Sequence, residues 1–304
     1  MKNPPYDYWP ITERPAIEWP DGKRFAFYIG LNIEHFRAGS PSTSVLPLTA
    51  RLPVDPANHG WRDYSTRVGI WRMIELLDRF EMRASVLLNA EVCTEYPQIV
   101  EAGVARDWAW LGHGATNSQM WTGLELEEER AGLRELTETI AAATGKSPRG
   151  WLGPALTETE NTPELLAELG YTYTLDWVAD DQPFPLSLDG GARMISVPYS
   201  IEVNDIPAFL DHDMTAPDFG RMIEDHFDLL HEESARRPGA VFGLSLHPFL
   251  INQPSRHRYL AEALEHIAGR DDVWYTTSDD IADWYMQHYY EAAVEAKNAR
   301  GSDR

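Results

Sequence analysis

Four side chains frame the chemistry available to this sequence: Glu34, His113, Asn117 and His247. A carboxylate and two imidazoles can move protons or bind a metal, and an amide can read hydrogen-bonding edges. Each lies at or just beyond the end of an apolar run. Phe25–Leu31 empties into Asn32-Ile33-Glu34-His35, and Trp110-Leu111-Gly112 ends in His113, with Asn117 four residues on. Val241–Leu246 ends in His247. Other runs stop in the same way: Ala84–Leu88 at Asn89, Tyr171–Leu175 at Asp176, and Met194–Tyr199 shortly before Glu202, Asn204 and Asp205. Trp151 belongs to a further strand end, Arg149-Gly150-Trp151-Leu152-Gly153-Pro154. His35, beside Glu34, completes the candidates, although a neighbour in a strand points to the opposite face.

Several chemistries are excluded. There is no Gly-rich loop of the P-loop or dinucleotide kind between a strand and a helix. A Gly-x-Ser-x-Gly nucleophile elbow is also absent. Cys93 is the single cysteine, so no intrachain disulfide forms, and no basic cluster lies nearby to activate the thiol. What remains is acid–base or metal-assisted chemistry by carboxylates, imidazoles and amides.

The elements that must position these groups alternate. Strands are expected near residues 24–31, 84–89, 108–113, 149–154, 171–177, 194–199, 241–247 and 273–276. Helices are expected near 67–80, 96–105, 124–144, 162–169, 216–234, 255–268 and 278–296. Such alternation implies a parallel sheet wrapped by helices, and seven or eight βα units in 304 residues favour a single-domain barrel over an open sheet. In a barrel of this kind the site lies at the C-terminal ends of the strands, where all the candidates fall. Residues 1–22 form a Pro- and aromatic-rich N-terminal arm, 23–290 the barrel, and 291–304 a polar C-terminal tail. Residues 36–66 are expected to be a long loop, a lid or rim.

The formal charge of −22 argues against nucleic acid and against anionic membranes, because both need a basic surface. The N-terminal residues lack a signal-peptide apolar core, and no apolar run approaches the roughly 18 residues of a membrane helix. The expectation is a cytoplasmic protein acting on a small molecule. The aromatic arm and the C-terminal helix could be traded between subunits of a homo-oligomer.

The order of these motifs resembles the polysaccharide deacetylase superfamily. A strand ends in a carboxylate, followed by His113-x-x-x-Asn117, then Arg149-Gly150-Trp151-Leu152-Gly153-Pro154, an Asp176 strand end, and Leu246-His247-Pro248. The resemblance implies the NodB-homology fold, an irregular (β/α)7–8 barrel, over about residues 22–290. It also implies roles. Glu34 matches a carboxylate of the family's first-strand Asp pair, either general base or metal ligand. His113 matches the first metal His and Asn117 stands where the second would be, with His35 an alternative ligand. Arg149 matches the Arg that steadies the base, Trp151 the pocket wall, and His247 the general acid.

The departures from the sugar-deacetylase pattern shift the likeness toward the allantoinase and cyclic-imide hydrolase relatives. Asn32-Ile33-Glu34-His35 replaces the Asp pair, and an amide oxygen at Asn117 is a weak ligand for a zinc-like ion. The implied function is hydrolysis of a non-peptide carbon–nitrogen bond in a small cyclic amide, ureide or imide. Asn89, Trp151, Asp176, Glu202, Asn204 and Asp205 would bind the substrate. One divalent, zinc-like ion and a metal-free site both remain open. The alternatives are a metal-dependent deacetylase of an N-acetylated sugar, and a catalytically degraded barrel that only binds a ligand.

Overall fold

A computed structural model describes residues 4–40 and 43–301. Met1–Asn3 of the arm, Pro41 and Ser42 of the expected loop, and Ser302–Arg304 of the tail lie outside the described residues.

Among the described residues nine strands form one curled sheet: β1 Phe25–Ile33, β2 Ala84–Leu88, β3 Ala109–Gly112, β4 Gly150–Trp151, β5 Tyr173–Thr174, β6 Phe184–Pro185, β7 Ile195–Ser196, β8 Ala240–Leu246 and β9 Val273–Tyr275. Their order is β6-β7-β5-β4-β3-β2-β1-β8, with β9 also pairing β1. Every pairing is parallel except that of β6, a short antiparallel edge to β7. β1 is an interior strand of this sheet, next to last in the order, in register with β2 through Ile33↔Leu88 and with β8 through Leu31↔Leu246. All nine of its residues are buried. That is why it reads as an uninterrupted apolar run rather than an alternating one.

Between β7 and β8 the ladder is replaced by residues 198–204, joined to β8 by Ser200 N–H to Gly243 O (3.1 Å) and a single parallel bridge, Asn204↔Ser245. The barrel is therefore irregular, as expected, and its closure rests on isolated contacts. The N-terminal arm packs beside this seam, through Ile17 N–H to Pro238 O and the Arg14–Asp180 ion pair.

Two elements differ from the sequence-based expectation. The loop after β1 ends at Asp55, not at residue 66. Asp55 caps a helix Pro56–Tyr64 by accepting from Asn58 N–H, and Pro56 supplies the pre-set φ of a first helical turn. A wide turn at Ser65–Gly69 joins it directly to the helix Ile70–Arg79. Gly69 allows this approach, because a Cβ there would sit 2.2 Å from the carbonyl oxygen of Pro248. At the other end of the chain, a helix Tyr290–Gly301 occupies most of the expected polar tail. Ala293 is buried, and Lys297 pairs with Asp7 of the arm at 3.0 Å.

Cys93 is a free, buried thiol, and burial pushes its pKa up to about 11, so it is packed rather than reactive. Among the described residues no helix is long and apolar enough to cross a membrane.

Candidate active site at the barrel mouth

The C-terminal ends of β1, β3 and β8 bring Glu34, His113 and His247 together. All three are buried, at 5%, 2% and 4% exposure. Glu34 Oε1 lies 3.5 Å from His113 Nε2 and 3.6 Å from His247 Nε2. Burial alone would raise the Glu34 carboxyl. The charge of His247 and the two imidazoles beside the carboxylate outweigh it and hold the pKa at about 2.

His247 is oriented by Asp205. Asp205 Oδ1 is 2.6 Å from His247 Nδ1, and Oδ2 accepts the His247 backbone N–H at 2.8 Å. Burial would lower the imidazole pKa, but Asp205 and Glu34 together raise it to about 10. At neutral pH the arrangement is thus a buried chain of carboxylate, imidazolium and carboxylate. The Asp205 carboxylate fixes the ring so that Nε2–H points into the mouth. Asp205, read from the sequence as a substrate contact, is therefore a positioning residue for His247.

Asn89, at the end of β2, organises the opposite rim. Its Oδ1 accepts the His35 backbone N–H (2.8 Å), so its Nδ2 must donate, and it does so to His113 O and to Asn117 Oδ1 (2.9 Å). The Asn117 Oδ1 is thereby consumed, and its Nδ2 donates to Glu34 Oε1. Gly114 makes this loop possible. Its φ is +67°, and a Cβ there would meet Pro154 at 2.7 Å.

These bonds decide which residues suit a metal. Glu34 Oε2 and His113 Nε2 are buried with no hydrogen-bond partner among the described residues, and both face the mouth. His113 Nδ1 lies 2.6 Å from Leu152 O, which fixes Nε2 as the free ring nitrogen. A third ligand is missing. Asn117 presents N–H to the site rather than oxygen, and His35 Nδ1 lies 2.7 Å from Glu91, on the other side of the strand. His247 Nε2 carries a proton. Among the described residues no group of three or more His, Cys, Asp or Glu side chains is arranged to hold a metal ion. The expected set of Glu34, His113 and Asn117, with His35 as alternative, does not fit a zinc-like ion, which takes at least three N, S or O donors from the protein.

Other expected residues lie elsewhere. Arg149 is corrected: it sits at the N-terminal end of β4, the opposite end of the barrel, and pairs with Asp283 (2.6 Å) and Asp279 (3.5 Å). Glu202 is exposed and lines a separate cavity of about 950 Å3, with Tyr6, Trp9 and His226, in whose wall neither Glu34 nor His247 takes part. Asn204 Oδ1 accepts from Ile206 N–H (2.9 Å), the bond of a turn. Trp151 is fully buried, edge-on to Trp121 and Tyr171, so it supports the wall from behind. Asp176 does reach the mouth, accepting from Gly153 N–H at 2.8 Å while its charge acts on His113.

Arg62 was not expected. It is buried to 6% exposure, its Nε has no hydrogen-bond partner among the described residues, its guanidinium lies 4.9 Å from the Phe36 ring centre, and its charge acts on Glu34. The Asp55-Pro56 helix start carries the signal that would have placed it on an element rather than in a loop.

Comparison with known proteins gives a consistent picture. The polysaccharide deacetylase family model matches residues 58–174, a stretch that includes His113 and Asn117 but neither Glu34 nor His247. A putative polysaccharide deacetylase of Schizosaccharomyces pombe is 25% identical, over 93% of this chain and 94% of its own length. Among solved structures, PuuE allantoinase superposes with a TM-score of 0.82 at 24% identity, covering 91% of this chain and 95% of its own. A probable polysaccharide deacetylase from Pseudomonas aeruginosa PAO1 gives 0.79 at 24% identity with the same coverage. These two likenesses establish the fold. Residues 58–174 thus match the polysaccharide deacetylase family, carried on the irregular barrel that the chain shares with those solved structures.

Proposed function

We propose that this protein hydrolyses a non-peptide carbon–nitrogen bond in a small cyclic amide, ureide or imide, with Glu34 as general base and His247 as general acid. The observation that carries the reading is the 3.6 Å approach of Glu34 Oε1 to a His247 Nε2 kept protonated by Asp205. A base and an acid side by side are what amide hydrolysis needs at one carbonyl.

Glu34 takes a proton from water as its oxygen bonds to the carbonyl carbon. Negative charge develops on the carbonyl oxygen, and we assign Arg62 and the Asn117 N–H to it. The C–N bond then breaks as His247 Nε2 passes its proton to the leaving nitrogen. The product is a single ring-opened molecule with a carboxylic acid at one end and the released nitrogen, as amine, ureido group or amide, at the other, and the proton on Glu34 returns to solvent or to His247. A carboxyl held at about 2 is a weak base. Water or substrate entering the mouth must part Glu34 from His247, whose Nε2 lies 3.6 Å away, and the weakened attraction lifts the carboxylate toward a working range. The His113 Nε2 lone pair accepts a substrate N–H, a group that cyclic amides and imides supply.

The family match and the Schizosaccharomyces relative also support deacetylation of an N-acetylated sugar. The Asn117 orientation counts against the metal that such a reaction would use. Incubation with a panel of hydantoins, cyclic imides, ureides and N-acetylated sugars separates the two readings. Ring opening without added metal supports the first. Release of acetate from sugars alone, abolished by a chelator, refutes it.

A further inference from the structure

Arg62 is, among the described residues, the one buried Lys or Arg side chain. The charges of Asp55, Asp63 and Glu34 act on it, yet among the described residues none of them forms an ion pair with it. A buried cation without a counter-ion is unfavourable, and negative charge that develops in the mouth during turnover is what gives such a group a use. It must then be held still, because misplacing a donor by about 1 Å costs rate by up to about 10²-fold.

The guanidinium rests with its face over the Phe36 ring and its Nη1 donating to Thr43 O at 3.3 Å. Phe36 is firmly anchored. It is buried and edge-on to Phe249 at 6.2 Å, and the Phe249 ring also meets Trp61 at 4.7 Å and His247 at 5.9 Å. Thr43 has no such support. The chain beyond it runs over the surface, with residues 45–48 and 51–54 exposed and Leu48 93% so. Apolar burial therefore does little to fix the Thr43 carbonyl.

Asn58 does what burial does not. It lies one turn before Arg62 on the helix Pro56–Tyr64, so the two share a face. Its buried Oδ1 accepts the N–H groups of Val45 (3.0 Å) and Leu46 (2.9 Å). Its Nδ2 donates to Leu46 O (3.0 Å) and Asp55 Oδ2 (2.5 Å), and approaches Thr49 Oγ1 at 3.3 Å. Both lone pairs and both hydrogens of the amide are thus in use, nearly all of them on one short stretch of loop. Asp55 tightens the same stretch, accepting from Thr49 Oγ1–H at 3.0 Å while it caps the helix.

We propose that Asn58 is a positioning residue for Arg62: its grip on Val45 and Leu46 sets the Thr43 carbonyl, and through it the guanidinium that meets the oxyanion. This deepens the hydrolase reading and rests on it only for the oxyanion. The coupling of Asn58 to Arg62 stands without it.

The test uses the full chain and begins with a readout that needs no substrate. In protein labelled with isotopic arginine, the Arg62 Nε–H magnetic-resonance signal is assigned by its loss in Arg62→Lys. This buried N–H should exchange with solvent at least about tenfold faster in Asn58→Ala, and also in Leu46→Pro, which cuts one bond of the grip from the exposed loop and leaves the helix untouched. Unchanged exchange in Asn58→Ala, or in Leu46→Pro where Asn58→Ala does not fold, overturns the proposal. The second readout is turnover of a cyclic amide that the wild type opens. Asn58→Ala should lower kcat about tenfold with KM within about twofold, and should cost nothing further in an Arg62→Ala background. An equal loss in both backgrounds, which a general loosening of the fold would give, overturns it. Faster Arg62 exchange without turnover of any cyclic amide removes the hydrolase reading and keeps the coupling, whereas turnover with an unmoved Arg62 does the reverse.

Discussion

On the β1–β8 flank of the mouth each buried carboxylate faces an imidazole. On the β4–β5 flank Asp176 feels the charge of His113, but the charged groups acting on Glu158 are all acidic. Glu34 and Asp205 sit either side of His247, whose pKa they raise to about 10, while Glu34 itself is held at about 2. Asp176, buried, and Glu158, partly buried, are both pushed up by burial. Burial is common to the two flanks and the partner is not. Burial raises the carboxyls of both flanks, Asp205 included, and Glu34, set against two imidazoles, is brought below its ordinary value. The first flank suits proton transfer.

The largest expected effect comes from removing the base. Glu34→Gln keeps the shape, deletes the negative charge, and should lower kcat by about 10³-fold or more. A variant within tenfold of wild type places the base elsewhere. Next, His247→Ala should cost about 10²- to 10³-fold in kcat, and less for substrates whose leaving nitrogen is already a good leaving group. A uniform loss across leaving groups denies His247 the role of acid.

Asp205→Asn tests the pairing itself. Without the carboxylate the His247 pKa falls, so the alkaline limb of the rate profile should move to lower pH, with a smaller loss at acidic pH. An unmoved limb makes Asp205 merely structural.

The flanks should also part in stability. Glu34, lowered from 4.5 to about 2, contributes stability that is present above its ordinary pKa and lost as pH falls through the folded value. His247, raised from 6.5 to about 10, contributes below pH 6.5 and loses that contribution as pH rises through 10. Glu158, raised by burial, also favours the fold in its protonated form, so its contribution declines as pH climbs above 4.5. Glu158→Gln should therefore gain on the wild type with rising pH, by something of order 1 kcal/mol at pH 9. Denaturant unfolding at pH 5 and pH 9 reads it, and a constant difference between the two pH values rejects it. The smallest effect is expected far from the mouth. Arg149→Ala removes two partly exposed ion pairs, should cost about 0–1 kcal/mol, and should leave kcat unchanged.

Much of this molecule was legible in the sequence because the parallel core strands are buried on both faces. Phe25–Ile33 and Ala240–Leu246 therefore read as continuous apolar runs, and their polar stops marked Glu34 and His247. Asn89, His113, Asn117 and Asp176 were found at the mouth by the same logic. Roles were harder to read than positions. Whether Asn117 offers oxygen or N–H depends on a relay through Asn89 to the backbone of His35, three contacts between distant stretches of chain. Arg149 misled because it opens its strand rather than closing it, so the same short motif points to the other end of the barrel. Arg62 was hidden in an expected loop whose helix start, Asp55-Pro56, was a local signal.

The most direct test of the acid–base pair is the pH dependence of kcat/KM for a cyclic amide the wild type opens, measured with Asp205→Asn alongside. A plateau through neutral pH that falls only toward pH 10, and a fall displaced to lower pH in the variant, is the predicted result. An alkaline fall near pH 6.5 in the wild type, or identical profiles for the two proteins, would contradict a His247 held protonated between Asp205 and Glu34.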